Sequence, residues 1–194
     1  MGQILTPESV VRIAAVFSRY DTAFEWAGQW LTERWGELLC ETEAFPFEQT
    51  AYYTSTMGPH LRKKFYAFRE PIAPTRIVVD KTASNAWEEE FAVAHSAEFP
   101  EPRPLNIDPG YVSLSKLVLA STKDFAHRIC VGDGIYAEIT LSFYHRAWTT
   151  FPWTFPDYAE PTYHPFLNCC RDHLHEWLKN ERRNMERGTD EVVC

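Results

Sequence analysis

The stretch of sequence that decides the fold class is residues 125–143, FAHRICVGDGIYAEITLSF. Two segments with alternating apolar residues, 125–131 and 135–143, stand on either side of a Gly-Asp-Gly turn. Apolar residues at every second position are typical of strands, and a short glycine-rich turn between two such segments is typical of a β-hairpin. The sequence therefore predicts an antiparallel hairpin whose apolar face packs on helices.

The register of this hairpin follows from the length of its loop. A three-residue loop pairs Ile129 with Ala137 and places the apolar residues of both strands on one face. His127 then lies on the apolar face, where it is either a histidine of the core or a catalytic one. The same register puts Arg128 opposite Glu138 on the other face, which predicts a cross-strand ion pair.

Outward from the hairpin, the chain alternates between strand and helix patterns. The apolar run 11–17 predicts a strand, and apolar residues at helical spacing predict a helix that follows Asp21 and ends near Gly36. The other segments are predicted in the same way: strands at 38–47, 61–68 and 103–107, helices at 74–94 and 166–187, an irregular aromatic strap at 151–163, and an ambiguous segment at 111–121 whose apolar residues fit one helical face.

Together these elements predict an α+β fold with a mixed or antiparallel sheet, in one domain of residues 1–194. The order strand, helix, strand, strand, helix, strand is that of a ferredoxin-like split β-α-β core. The hairpin and the C-terminal helix are then additions to that core.

Composition and charge exclude several classes of protein. The 194 residues include 19 basic and 27 acidic ones, and the net charge of −8 argues against non-specific binding of nucleic acid. No apolar run approaches the ~18–20 residues that a membrane-spanning helix needs. The first residues also lack the basic segment and the cleavage site of a signal peptide. The cysteines are odd in number and form no C-x-x-C pair, so we expect free thiols in a reducing cytoplasm.

Four segments of the chain resemble a known family. They are FPFEQTAYYTSTMG at 45–58, RPLNIDPGYVSLSKLVLASTKDFAHRI at 103–129, GDGIYAEITL at 132–141 and WTFPDY at 153–158. In this order they resemble the prokaryotic family called domain of unknown function 4416. Two positions depart from the family pattern, since Phe155 stands where tyrosine is usual and Cys130 where an aromatic residue is usual. The resemblance implies a soluble prokaryotic protein of one domain, and it implies no particular chemistry.

The densest group of polar residues beside an apolar strand lies at 106–111. Asn106 and Asp108 alternate with apolar residues, so both side chains point to the same face of a strand. Asp108 either caps an Asx turn ahead of Pro109 and Gly110, or acts as a ligand or general base at the end of a strand. Tyr111 closes this segment and is a candidate for ligand binding.

A second group of candidate residues lies just before the hairpin. Thr122, Lys123 and Arg128 are donors suited to an anionic group such as a phosphate. The alternative is that Thr122 and Lys123 belong to a polar turn that leads into the hairpin.

Glu138 and Tyr136 share the polar face of the predicted hairpin. Either Glu138 only pairs with Arg128, or it lines one pocket together with Asp108 and Glu43. Two carboxylates, Asp108 and Glu138, would suit a divalent cation, or would share acid and base roles with His127 nearby.

Tyr53 is the remaining candidate residue. Its ring either packs in the core or stacks on a planar ligand. No motif for a nucleophilic serine, a dinucleotide or a phosphate loop is present in the sequence.

Two hypotheses of function follow from these residues. The first is a domain that binds a small phosphate-bearing molecule, such as a nucleotide, or acts on it as a metal-assisted enzyme. The alternative is a non-catalytic interaction module whose aromatic strap at 151–163 docks a partner protein.

Overall fold

The structure is a computed structural model that describes residues 2–49 and 53–190. Its strands and helices follow the chain in this order: β1 Val11–Ser18, α1 Asp21–Trp35, β2 Leu38–Glu41, β3 Phe45–Pro46, α2 Thr54–Met57, β4 Arg62–Phe68, α3 Ile77–Ala94, β5 Asn106–Val112, β6 Lys116–Ser121, β7 Ile129–Gly132, β8 Ile135–Tyr144, β9 Ala147–Thr150 and α4 His164–Asp190. Short 3-10 turns precede α3 and occupy the second half of the strap.

Across the described part of the chain, nine strands form one sheet in which every pair of neighbours is antiparallel. The order is β2-β4-β1-β5-β6-β8-β7, with β3 beside β4 and β9 beside β8. The predicted α+β class with an antiparallel sheet is confirmed. The order of β2, β4, β1 and β5 is compatible with a ferredoxin-like core, and that finer assignment stays a prediction.

Two helical layers cover the two faces of the sheet. Alternate residues of β1 point to opposite faces, and every residue of β1 is buried. Ala14 and Val16 pack in one core with α1 and the C-terminal part of α3. Ile13 and Ala15 pack in the other core with α4 and the strap. A strand covered on both faces explains the continuous apolar run at 11–17.

The two halves of the sheet meet only briefly, between β5 and β6. Only residues 110–112 of β5 pair with β6, whereas residues 106–109 pair with β1 alone. Pro109 has no N–H group to donate, which suits a strand segment with a neighbour on one side. At the meeting point the strands touch closely, since a Cβ on Gly110 would lie 2.3 Å from the carbonyl oxygen of Val118. Beyond that point β5 and β6 separate and leave a cleft.

Two expectations from the sequence need correction in this region. β5 runs straight through Pro109 and Gly110, so the predicted bend there is wrong. The ambiguous segment 111–121 is the end of β5 followed by β6, and it contains no helix. Both errors have one physical cause: the tertiary pairing with β1 and β8 overrides the local signals of proline, glycine and helical spacing.

The hairpin of β7 and β8 is confirmed, with Ile129 opposite Ala137 as predicted. Its loop is shorter than expected, because Gly132 pairs with Ile135 and the register shifts after Cys130. Residues 125–128 precede the strand and are not part of it. The prediction that the apolar residues of β7 pack on helices is wrong, since Ile129 and Val131 are exposed on this edge strand of the sheet.

Candidate functional site

A cavity of about 410 Å³ fills the cleft between β5 and β6. Cavities of this size hold small molecules in other proteins. Lys81 and Asn85 of α3 contribute to its lining, as do Phe155, Pro156 and Asp157 of the strap. Seven of the candidate residues from the sequence line this cavity: Tyr53, Asn106, Asp108, Thr122, Lys123, Arg128 and Glu138.

The wall formed by β5 is built around Asp108. The Nζ atom of Lys81 donates to Oδ1 of Asp108 at 2.9 Å and to the carbonyl oxygen of Ile107 at 3.1 Å. Asn106 donates through Nδ2 to Oδ2 of Asp108 at 3.0 Å. Burial by itself raises the pKa of Asp108, but the charge and hydrogen bond of Lys81, the hydrogen bond of Asn106 and the charge of Arg103 together lower it. Asp108 is therefore held as a carboxylate.

Arg103 and Glu88 extend this network behind β5. Arg103 donates from Nη2 to Oε2 of Glu88 at 2.6 Å and also to Oδ1 of Asn106. The other oxygen of Glu88 accepts from the backbone N–H of Ile107 at 2.8 Å. Burial raises the pKa of Glu88, although Lys81 and Arg103 oppose that shift. These bonds hold the side chains of Arg103 and Asn106 in place beside the cavity.

The opposite wall is built around Glu138 of β8. Arg128 donates from Nε to Oε2 of Glu138 at 2.8 Å, and Thr140 donates to Oε1 at 3.0 Å. The Nη1 atom of Arg128 donates to Oγ of Ser121 at 2.8 Å and to the carbonyl oxygen of Lys123 at 3.1 Å. The predicted ion pair of Arg128 with Glu138 is present, and it ties the end of β6 to β8.

His127 does not line the cavity, but its Nε2 lies 3.4 Å from Oε2 of Glu138. The ring of His127 stacks nearly parallel between Phe125, at 5.9 Å, and Trp153, at 5.6 Å, measured between ring centres. The neighbours of His127 are a carboxylate and two partly exposed rings, so the expectation of a core histidine is wrong.

Three of the remaining candidate residues lie outside the cavity. Glu43 lines a separate groove between α1 and the β2–β4 edge, which corrects its predicted grouping with Asp108 and Glu138. Tyr111 packs against the small apolar cluster that includes Val118, on the side of α3. Tyr136 pairs in register with β6 and β7 and does not line the cavity.

The ring of Tyr53 contacts both other aromatic rings and the cavity. Its ring packs against those of Phe17, 6.1 Å away, and Phe47, 6.2 Å away, and it also contributes to the cavity wall. Both alternatives for this tyrosine therefore remain compatible with its position.

The structure offers few protein ligands for the divalent cation that the sequence predicts at Asp108 and Glu138. Among the residues that the structure describes, no group of three or more histidine, cysteine, aspartate or glutamate side chains is placed to hold a metal ion. Lys81 and Arg128 already neutralise Asp108 and Glu138. A cation at these two carboxylates stays a prediction.

Sequence reasoning missed Lys81, Glu88 and Asp157 as members of the site. The signal for the first two lies in α3, whose buried positions are Ile77, Asp80, Lys81, Ser84, Glu88 and Phe91. Charged residues on the buried face of a helix need partners inside the protein. That stripe was visible in the sequence, but its partners on β5 were not.

Comparison with known proteins gives one match. The family model "Domain of unknown function (DUF4416)" matches residues 8–174. No curated protein and no solved structure matches the chain. In the described residues, none of the helices has the length and the apolar composition that crossing a membrane requires.

Proposed function

We propose that this chain, which belongs to the DUF4416 family, binds a small phosphate-bearing molecule in the cavity between β5 and β6. The observation that carries the proposal is the charge of the cavity wall. Four basic side chains line it (Lys81, Arg103, Lys123 and Arg128) and three acidic ones (Asp108, Glu138 and Asp157), a net charge of +1. The whole chain carries −8, so this cavity is a local site of positive charge in an acidic protein.

The group best placed to hold a phosphate lies where β6 ends. Arg128 presents a guanidinium fixed by Glu138 and Ser121, and its Nη2 atom takes no part in those bonds. Lys123 and Thr122 stand on the same loop and line the same cavity. A guanidinium that is already oriented loses little freedom when it binds an anion, and charge-assisted hydrogen bonds to phosphate oxygens are the strong ones.

The opposite wall suits the remainder of such a ligand. Asn85 and the carboxylate of Asp108 line the cavity as possible partners for hydroxyl or amine groups, and Phe155 contributes an apolar ring to its lining. Metabolites that combine a phosphate with hydroxyl groups fit this distribution of charge. We place this function in the cytoplasm, where such metabolites occur and where the cysteines of the described residues would stay free thiols.

Thermal unfolding of the full chain tests this proposal. Inorganic phosphate, pyrophosphate, a sugar phosphate and a nucleotide are added separately at millimolar concentration. A ligand present at about 100 times its Kd adds about 2.7 kcal/mol to the free energy of unfolding, which is a readily measured shift. Comparison of the esters with inorganic phosphate distinguishes a phosphate site from a site for a larger metabolite.

A matched pair of variants locates the binding. Lys116 begins β6 and Lys123 follows its end, so Lys116→Met and Lys123→Met remove the same charge from the two ends of one strand. We expect Lys123→Met to weaken binding by about tenfold or more, because it removes a charged partner of the anion, and Lys116→Met to leave binding unchanged. No shift with any of the four compounds, or equal loss in both variants, contradicts the proposal.

The catalytic roles of Asp108, Glu138 and His127 stay predictions, and the proposal does not depend on them. Asp108→Asn and Glu138→Gln should each abolish the shift caused by a ligand while the fold persists.

The alternative of a partner-docking strap also stays a prediction. Of the strap residues, Tyr158 and Tyr163 are buried in the core, whereas Trp153 and Phe155 are exposed.

A further inference from the structure

Lys63 of β4 lies in a cage of aromatic rings. Its side chain is 1% exposed, and its Nζ atom lies 3.5 Å from the centre of the Tyr158 ring. Four more rings stand within 6 Å of the same atom: Phe17, Phe47, Phe65 and Tyr163. The surroundings of this amine are therefore apolar on most sides.

One carboxylate connects this amine with the cavity. The Nζ atom of Lys63 lies 2.5 Å from Oδ2 of Asp157, and Tyr163 donates to the same oxygen at 3.3 Å. Asp157 and Phe47 both line the cavity. Asp157 thus contacts both Lys63 and the cavity in which a ligand would lie.

Packing alone does not explain a lysine–aspartate pair at this position. An ammonium has three N–H donors, and the described bonds of Lys63 use only one acceptor, Asp157. Removing an ion pair from water costs several kcal/mol per charge, and replacing both partners by uncharged side chains of similar volume is often neutral or stabilising. Methionine at position 63 together with asparagine at position 157 would fill the same space without that cost, so the amine calls for a chemical reason.

We propose that Lys63 is a nucleophilic amine that forms an imine with a small aldehyde or ketone entering through the cavity. This inference goes beyond phosphate binding and does not depend on it. A lysine that is desolvated among apolar side chains is a recurrent nucleophile toward carbonyl compounds.

The steps use groups that are present at the site. Asp157 takes a proton from the ammonium of Lys63, and the neutral nitrogen forms a bond to the carbonyl carbon of the ligand. The nitrogen, now positively charged, passes one of its two protons to the carbonyl oxygen, which becomes a hydroxyl, while Asp157 keeps the proton that it took. Asp157 then returns a proton to that hydroxyl, the carbon–oxygen bond breaks, and water leaves as the carbon–nitrogen double bond forms. No oxidant or reductant is needed.

The electrostatics of the cage support the first step. Burial lowers the pKa of Lys63 to about 8, although the charge and hydrogen bond of Asp157 and the charge of Asp108 oppose that shift. A larger fraction of this amine is neutral at pH 7 than of an ordinary lysine, whose pKa is about 10.4.

Reductive trapping tests the proposal on the intact wild-type chain. The folded protein is treated with acetaldehyde and sodium cyanoborohydride at pH 7, and ethylated lysines are located by peptide mass mapping over time. Two other lysines serve as internal controls. Lys64 is the sequence neighbour, pairs with Glu41 and is partly exposed, and Lys81 is buried against Asp108. We expect Lys63 to react at least about tenfold faster than either, since one pKa unit corresponds to a tenfold change in the neutral fraction.

Asp157→Asn tests the role given to the carboxylate. We expect it to slow the modification of Lys63 and to leave that of Lys64 unchanged, with the fold checked by circular dichroism. If Lys63 in the folded wild-type chain reacts no faster than Lys64, or reacts only after denaturation, the proposal is overturned. That comparison needs no variant, so it decides the question even where Asp157→Asn fails to fold.

Discussion

Two lysine–aspartate pairs with buried ammonium groups stand beside the same cavity, and they differ in the groups that surround the charges. In the pair Lys81–Asp108, the ammonium also donates to a backbone carbonyl and the carboxylate also accepts from Asn106. In the pair Lys63–Asp157, the ammonium is enclosed by aromatic rings. The Asp108 side chain is 26% exposed, against 3% for Asp157.

The number of polar neighbours decides which member of each ion pair has a lowered pKa. Around Asp108 the polar groups outweigh burial, and the pKa of the carboxyl is lowered. Around Lys63 burial outweighs the hydrogen bond and charge of Asp157 and the charge of Asp108, and the pKa of the ammonium is lowered to about 8. The first arrangement holds a stable charge for binding, and the second holds an amine close to its neutral form.

The largest expected effect on stability comes from breaking the pair Lys63–Asp157. Lys63→Met should lower the free energy of unfolding by about 3–5 kcal/mol, because it leaves Asp157 as an unpaired buried carboxylate. The double variant Lys63→Met/Asp157→Asn should recover most of this loss, since it buries no charge. Denaturation with urea measures both values. A single variant that is as stable as the double variant would show that Asp157 does not depend on Lys63.

The second effect is a pH dependence of stability. In the unfolded chain Lys63 keeps its proton up to about pH 10.4, whereas in the folded chain it loses the proton near pH 8. Between these values the unfolded state binds more protons, so the free energy of unfolding rises with pH. The gain is at most about 1.4 kcal/mol per pH unit, or about 3 kcal/mol in all.

The double variant Lys63→Met/Asp157→Asn is the reference for this measurement, because it lacks both groups and keeps the other titrating residues. Below pH 8 the difference between wild type and double variant should be constant. A difference that stays constant up to pH 10.5 would mean that Lys63 has an ordinary pKa in the folded protein.

Breaking the pair Lys81–Asp108 should have a smaller effect on stability. Lys81→Met should cost about 1–3 kcal/mol, because the carbonyl of Ile107 loses a donor while Asp108 keeps Asn106 and contact with the cavity. The same urea titration measures it. If Lys81→Met costs more than Lys63→Met, the contrast between the two pairs is wrong.

The smallest effect concerns the third partner of Asp157. Tyr163→Phe removes one hydroxyl that donates to Asp157 at 3.3 Å, a long hydrogen bond. We expect a loss of about 0.5–1 kcal/mol of stability and an unchanged rate of trapping at Lys63. A loss as large as that of Lys63→Met would mean that Tyr163, rather than the lysine, compensates the buried carboxylate.

Local patterns predicted most of the fold. Alternation and helical spacing depend on near neighbours, and they predict three elements correctly: the strand at 11–17, the helix after Asp21 and the hairpin around Gly132. Local signals predict a bend at Pro109, but the segment is a strand because it pairs with β1, about a hundred residues away along the chain. Part of the cavity is predictable too, since Arg128 directly precedes β7 and meets Glu138 of the neighbouring strand β8.

Residues close along the chain are enough to predict the α+β class, the apolar faces of most elements and the pair Arg128–Glu138. The place of the site depends on contacts between segments that are far apart in the sequence. The tertiary structure separates β5 from β6 beyond Gly110, brings Lys81 of α3 to Asp108, and brings Asp157 to Lys63 across 94 positions of sequence. A buried lysine and an exposed one read alike in a sequence, because burial is a property of the surroundings that distant segments supply.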